Sequence, residues 1–219
     1  PNLEGELAGA NALLSRMLGK GSVSTPKDAF EEEVDYLGAR VNIGSSSAFA
    51  SSLSRYFPRV LDLMADAVLH PNFLDEEFEK DKERLIEGIK SDENSVTAAA
   101  RRVERLITYG KDHPYGEFTT AESVENVTLG DVKNYYSANF TPANAYLIII
   151  GDVDFKTVKK QVSKLFKSWK GSPSKDIAFP AAKNAPSLEI NFVEMPNAVQ
   201  SEVSVDFTTE VVKTDADYF

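Results

Sequence analysis

The sequence predicts a mixed α+β fold: a mostly antiparallel sheet with helices packed on one face. Three observations predict it. Apolar residues recur with the helical period in several separate segments. They alternate at period two around residues 39–56 and again beyond residue 187. One short continuous apolar run, residues 145–150, reads as a central strand.

Taken in order, residues 6–18 place Leu7, Ala10, Leu14, Met17 and Leu18 on one helical stripe, which Gly21 breaks. Thr25-Pro26 is a helix start, with Thr25 as the cap and Pro26 at the first helical position. Asp28, Glu31 and Glu32 suit the positive end of that helix, Phe30, Val34 and Leu37 form its inner face, and Gly38 ends it. Val41, Ile43, Phe49, Leu53 and Tyr56 flank a Gly44-Ser45-Ser46-Ser47 turn, predicting an antiparallel pair of strands. Pro58 opens a helix that runs through Leu69, where His70-Pro71-Asn72 stops it. A charged helix over 75–92 and a second over 96–107 follow, then a loop rich in Gly and Pro at 109–116. Thr128-Leu129-Gly130-Asp131 starts another helix, the run 145–150 is the central strand, and residues 155–169 form an amphipathic helix. Residues 170–187 lose periodicity and gain Gly, Ser, Pro and Lys, as linkers do. Residues 188–192 and 201–207 alternate again and predict strands of a following unit.

Composition narrows the function classes. A net charge of −10 argues against a nucleic-acid partner, because phosphate binding needs a basic surface. The chain has no cysteine, which excludes disulfides and thiolate metal sites. No run approaches the ~18 apolar residues of a membrane span, and no signal peptide opens the chain. Pro1 is not a translation start, and Asp217-Tyr218-Phe219 falls where a helix should begin. Both ends therefore read as cuts, and a targeting signal would lie outside this piece.

The most informative segment is Leu7 to Ser22, a helix followed by Gly19-Lys20-Gly21-Ser22. It resembles the active-site helix of the M16 metallopeptidases (the insulinase, pitrilysin and mitochondrial processing peptidase family), in which His-x-x-Glu-His precedes Met-Leu-x-Lys-Gly-Thr/Ser. Other segments carry the same resemblance in order. Leu37-Gly38-Ala39-Arg40-Val41-Asn42 is similar to the family's strand motif, and Leu69-His70-Pro71-Asn72-Phe73 to its helix end. Tyr109-Gly110 with His113-Pro114-Tyr115-Gly116 matches its loop, and Asn139 to Val153 matches its strand and Gly-Asp turn.

The resemblance implies a metallohydrolase-type fold of the kind found in the processing peptidases. Residues 1–169 would be a first α/β subdomain lacking its opening strands, 170–187 a linker, and 188–219 the start of a second, truncated subdomain. Met195 to Ser201 would begin a strand of that second unit, and Asp215 to Phe219 its helix. The resemblance also implies that the zinc chemistry is lost. Zinc hydrolysis needs two ligands on one helix face and a base beside them; His at i and i+4 supplies the pair in the inverted arrangement. Ala12 stands at the first His, Ser15 at the Glu and Arg16 at the second His. Arg16 is always charged and has no lone pair to give. The family's third ligand, a Glu on a later helix, falls at Gly88, with Glu87 one residue away.

Only His70 and His113 remain as imidazole ligands. Both precede Pro on separate loops and read as turn residues. Glu31-Glu32-Glu33 and Asp75-Glu76-Glu77 read as solvated helix starts. Arg16 has two readings: a contact to an acidic wall or a substrate carboxylate, or, slightly preferred, a solvated residue at a helix end. Asn42, Ile43 and Gly44 lie where relatives lend a strand edge to an extended peptide, which requires main-chain pairing and no particular side chain. An ordinary sheet strand is the preferred reading of the same residues.

Three functions are compatible with these residues. In the first, the chain is a non-catalytic half that pairs with a zinc-bearing homologous half, on the same chain or a separate one, to enclose unfolded peptide. Zinc is then expected only in the partner. In the second, it is a structural or binding protein with no proteolytic partner. In the third, it is the inactive half of a longer zinc protease. The family's usual habitats point to a secreted or periplasmic bacterial setting. The Arg of the Arg/Tyr pair found in degenerate halves has no assigned position.

Overall fold

The computed structural model describes residues 3–172, 179–196, 198–209, 211 and 214–218. Eight helices and one hairpin make up the regular structure of these residues: α1 Ala10–Met17, α2 Lys27–Tyr36, β1 Arg40–Ile43, β2 Ala48–Ser51, α3 Phe57–Leu69, α4 Asp75–Asp92, α5 Val96–Tyr109, α6 Ala121–Asn126, α7 Leu129–Asn139 and α8 Phe155–Leu165. Short 3-10 turns lie at Gly5–Leu7, Pro142–Asn144 and Ala216–Tyr218.

The core sits where α1, α3, α4 and α7 meet. Leu13, Leu14 and Met17 of α1 are buried, as are Val60, Leu61, Met64, Ala67 and Val68 of α3. Val124 of α6, Val127 just after it and Val132 of α7 close the core. The spacing in α3 is the i, i+4 stripe that the sequence presents, so one face of the helix is removed from water. Two capping boxes fix the N-termini of α6 and α7: Thr120 with Ser123, and Thr128 with Asp131, each residue's side chain accepting from the other's N–H.

The hairpin pairs Arg40 with Ser51, Val41 with Ala50, Asn42 with Phe49 and Ile43 with Ala48. The Gly44 N–H donates to the Ser47 carbonyl across the turn. Both strands pack against α3.

Several expectations need correction. The first helix starts at Ala10, not residue 6, because Gly9 adopts φ 117° and breaks the helical path. A Cβ at Gly9 would come within 2.8 Å of Val124 Cγ2, so this position requires glycine. Glu4 then caps the helix, its carboxylate accepting from the N–H groups of Gly9 and Asn11. The second helix starts at Lys27, with Pro26 rather than Thr25 at the cap and no side-chain capping bond. The last amphipathic helix ends at Leu165, not Trp169. Helix α6 has no counterpart in the sequence reading.

The mostly antiparallel sheet is the largest difference. Among the described residues, only β1 and β2 form a ladder. Residues 145–150, 188–192 and 201–207 take no strand pairing. Tyr146 is 95% exposed and Ile150 93%. A strand's N–H and C=O groups lie to its sides, so an apolar run becomes a strand only beside another one. The fold is therefore mostly helical with one small antiparallel hairpin. Of the expected linker, residues 173–178 lie outside the described residues, as do Asn197 in the expected strand start and Phe219 in the expected helix. No helix among the described residues is long and apolar enough to cross a membrane.

Candidate functional site

Helix α1 brings together the residues that the sequence singles out. Leu13, Leu14 and Met17 anchor it in the core, which turns Ala12, Ser15 and Arg16 toward its outer side. Ala12 and Ser15 are half-buried and Arg16 is exposed. The Ser15 hydroxyl donates to Ser45 Oγ at 2.8 Å and accepts from the Ser45 N–H at 3.1 Å. This two-way clamp fixes the hairpin turn against the helix. A Cβ at Gly44 would lie 3.8 Å from Ser15 Oγ, an ordinary contact.

Beside the clamp is an open hollow of about 400 Å³, lined by Leu18, Gly19, Asn42, Ile43, Gly44 and Phe49 among others. Ile43 is buried, Gly44 half-buried and Asn42 exposed. Strand β1 has β2 as its one ladder partner among the described residues, which leaves its other edge unpaired. Phe49 is 57% exposed next to that hollow. The structure thus brings Asn42, Ile43 and Gly44 next to the end of α1.

The turn after α1 is held by charge. Lys20 Nζ donates to Glu77 at 2.9 Å and to Asp81 at 2.5 Å, and Lys27 reaches Glu77 at 3.5 Å. Asp81 is a buried carboxylate, which is tolerable only because it is paired. The hydrogen bond from Lys20 holds the Glu77 carboxyl below its ordinary range. Helix α4, which carries both acids, also carries Gly88. That glycine is exposed, and a Cβ built on it would meet nothing within 4 Å.

These residues do not fit a zinc ion. Ala12 and Gly88 offer no donor atom, Arg16 offers only N–H donors, and the Ser15 hydroxyl is engaged with Ser45. Among the described residues no group of three His, Asp or Glu side chains is placed to hold a metal. The two histidines are engaged in their turns. His70 Nδ1 lies 2.9 Å from Asp66 Oδ1, while the other Asp66 oxygen accepts from Ser22 and Ser24. Burial pushes the Asp66 carboxyl up, but the bonds from Ser22, Ser24 and His70 outweigh it and hold it below the ordinary value. His113 Nδ1 accepts from the Tyr115 N–H, and its ring stacks on Tyr109.

Ser45 is the site residue the sequence does not reveal: it lies thirty positions from Ser15 in a run of three serines with no distinguishing signal. Asp81 is similarly hidden among the many acids of α4. Its helical spacing from Glu77, at i+4, is the one available clue.

Comparison with known proteins shows the family and the fold. The family model for insulinase (peptidase family M16) matches residues 4–110, and the model for the peptidase M16 inactive domain matches residues 126–219. Subunit 1 of the mitochondrial cytochrome b-c1 complex of Bos taurus is 21% identical over 173 residues, covering 77% of this chain and 36% of that protein. An uncharacterized zinc protease of Bacillus subtilis, YmxG, is 25% identical over 170 residues, covering 75% of this chain and 41% of its own length. Among solved structures, a peptidase M16 inactive domain from Pseudomonas fluorescens superposes with a TM-score of 0.70 at 23% identity, covering 79% of this chain and 44% of that one. A protease from Helicobacter pylori gives 0.68 at 23% identity, covering 81% and 45%. The chain thus spans well under half the length of these curated relatives.

Proposed function

The chain belongs to the M16 peptidase family, and from that premise we propose that it is a non-catalytic half. It would pair with a zinc-bearing homologous half, on the same polypeptide or a separate one, and help enclose an unfolded peptide. The observation that carries this reading is helix α1. Its packing residues Leu13, Leu14 and Met17 are buried, while Ala12, Ser15 and Arg16 occupy the positions where the family's ligands and base would stand. The peptide-facing element would be the end of β1 and the residue after it, Asn42, Ile43 and Gly44. The Gly44 N–H is taken by Ser47, so Ile43 is the residue of the three whose main chain lies on the edge away from β2 and would pair with an extended segment. Phe49 adds an exposed ring for a substrate side chain.

The test is a zinc assay and a peptidase assay on the purified chain, followed by mixing with a zinc-bearing M16 half. The chain alone should bind no stoichiometric zinc and cleave nothing. Added to the zinc-bearing half, it should raise cleavage of an unfolded peptide. Stoichiometric zinc in the isolated chain, with hydrolysis stopped by a chelator, would sink the proposal. A second reading, a structural protein without a proteolytic partner, is favoured by the similarity to a cytochrome b-c1 subunit. It predicts that no zinc-bearing half gains activity from this chain. The third, the inactive half of a longer zinc protease, differs from the first in covalent linkage alone.

A further inference from the structure

Some basic residues of this chain are taken up by partners, while others, Arg16, Arg101 and Arg105 among them, are exposed and form no ion pair among the described residues. The paired ones are Lys20 and Lys27 with Glu77, Arg59 with Glu33, Lys80 with Glu76 and Arg84 with Asp81. Lys82 is taken up by the carbonyls of Glu125 and Val127. The segment from Phe155 to Lys170 is different. It carries six lysines and no acid, on a chain whose net charge is −10. All six are exposed, and none forms an ion pair among the described residues.

Helix geometry sorts them. Lys156, Lys160 and Lys164 stand at i, i+4 and i+8 and line one face of α8, with Lys159 beside them. Lys167 and Lys170 continue the charge beyond the helix end. The opposite face is fixed: Val162 and Leu165 pack against the core. Gln161 Nε2 donates to the Pro58 carbonyl at 2.7 Å and to Asp62 Oδ1 at 2.8 Å, both at α3. These bonds prevent α8 from rolling, so the lysine row is held outward. The only carboxylates next to it in sequence, Asp152 and Asp154, precede the helix, and Asp154 is occupied in capping it through the Thr157 N–H.

We infer that the lysine face of α8 is a docking strip for an acidic protein segment. Three features favour a protein over other polyanions. The strip is one row wide on an acidic molecule, whereas a duplex needs a broad basic footprint. Val162 and Leu165 are turned into the core, which leaves Phe155 as the one largely exposed apolar side chain of α8, too little for an apolar face that inserts between lipids. A row of point charges at helical spacing matches carboxylates on a second helix or an extended acidic strand. This inference does not depend on the paired-half reading, because it uses no residue of α1 or β1.

The test uses the whole chain and a labelled glutamate-rich peptide at low ionic strength, read by fluorescence anisotropy. Binding should weaken as salt shortens the screening length. The K156Q/K160Q/K164Q variant should bind about tenfold more weakly, as expected for losing three exposed ion pairs. The K156R/K160R/K164R variant should bind like the parent, and both variants should keep the parent's circular dichroism. Three results would overturn the inference: equal binding by the glutamine variant, lost binding by the folded arginine variant, or tighter lysine-dependent binding to duplex DNA or phosphatidylserine vesicles than to the peptide.

Discussion

The segment from Glu4 to Asn139 and the segment from Ala145 to Thr209 carry apolar patterning of similar strength, and their fates differ. In the first, the stripes of α1 and α3 are buried and Leu13 and Val132 are each 0% exposed, although α5 buries no residue fully. In the second, Ile148, Ile150, Ile190 and Val205 stand 78–94% exposed. A helix satisfies its own backbone and needs only one neighbour for one face. A strand needs a partner along its edge before its side chains can be buried. The contrast teaches that apolar pattern alone does not create a core.

Substitution tests the contrast most strongly in the core. Leu13→Ala should lower the unfolding free energy by about 3–5 kcal/mol, as buried leucine truncations do, measured by urea denaturation. Ile148→Ala should shift it by less than about 0.5 kcal/mol, the range for surface changes. Equal costs at both positions would erase the distinction between the two segments. Next in size is Lys20→Ala, which strands the buried Asp81 carboxylate without its main partner and should cost about 3 kcal/mol in the same assay. An Asp81→Asn second change should recover part of that loss.

Alkaline pH gives a third handle within the packed segment. Burial pushes the Tyr136 phenol up to about 12, and its hydroxyl donates to the Val68 carbonyl. The folded state thus favours the neutral phenol, so the stabilisation is complete below the unfolded value near 10. It is lost as pH rises from there through the folded value of about 12. Stability measured by denaturation should fall across that window, and Tyr136→Phe should flatten the fall. An unchanged slope in the variant would assign the loss to other groups.

Much of the packed segment was legible in the sequence. Helices α3, α4 and α5 follow from their apolar spacing, and the hairpin follows from the change of period around four turn residues. The start of α1 is not legible, because Leu7 continues the helical stripe while only the positive φ of Gly9 breaks it. Helix α6 was missed although Thr120 and Ser123 carry its capping box; at six residues it is too short for a periodic signal. The strands beyond Asn144 failed because their pairing depends on partners that composition cannot supply. At the candidate site, Ala12, Ser15 and Arg16 were marked only by resemblance to the family, and nothing local marked Ser45 as the partner of Ser15.

Within the packed segment, the smallest effect is expected where the two serines meet. Ser15→Ala removes the bond donated to Ser45 Oγ and leaves the Ser45 N–H without its acceptor. In a half-buried position this should cost about 1 kcal/mol, close to the surface changes of the extended segment and far below Leu13→Ala. The location of the loss matters more than its size. Hydrogen exchange should speed up at the Ser45 amide and in β1, while α3 and α7 keep their protection, because their burial does not involve the clamp. Protection lost throughout the core would mean that Ser15 supports the whole packed segment. Protection unchanged at Ser45 would mean that the turn is held by its own Gly44–Ser47 bond, and the hairpin edge would then be positioned independently of α1.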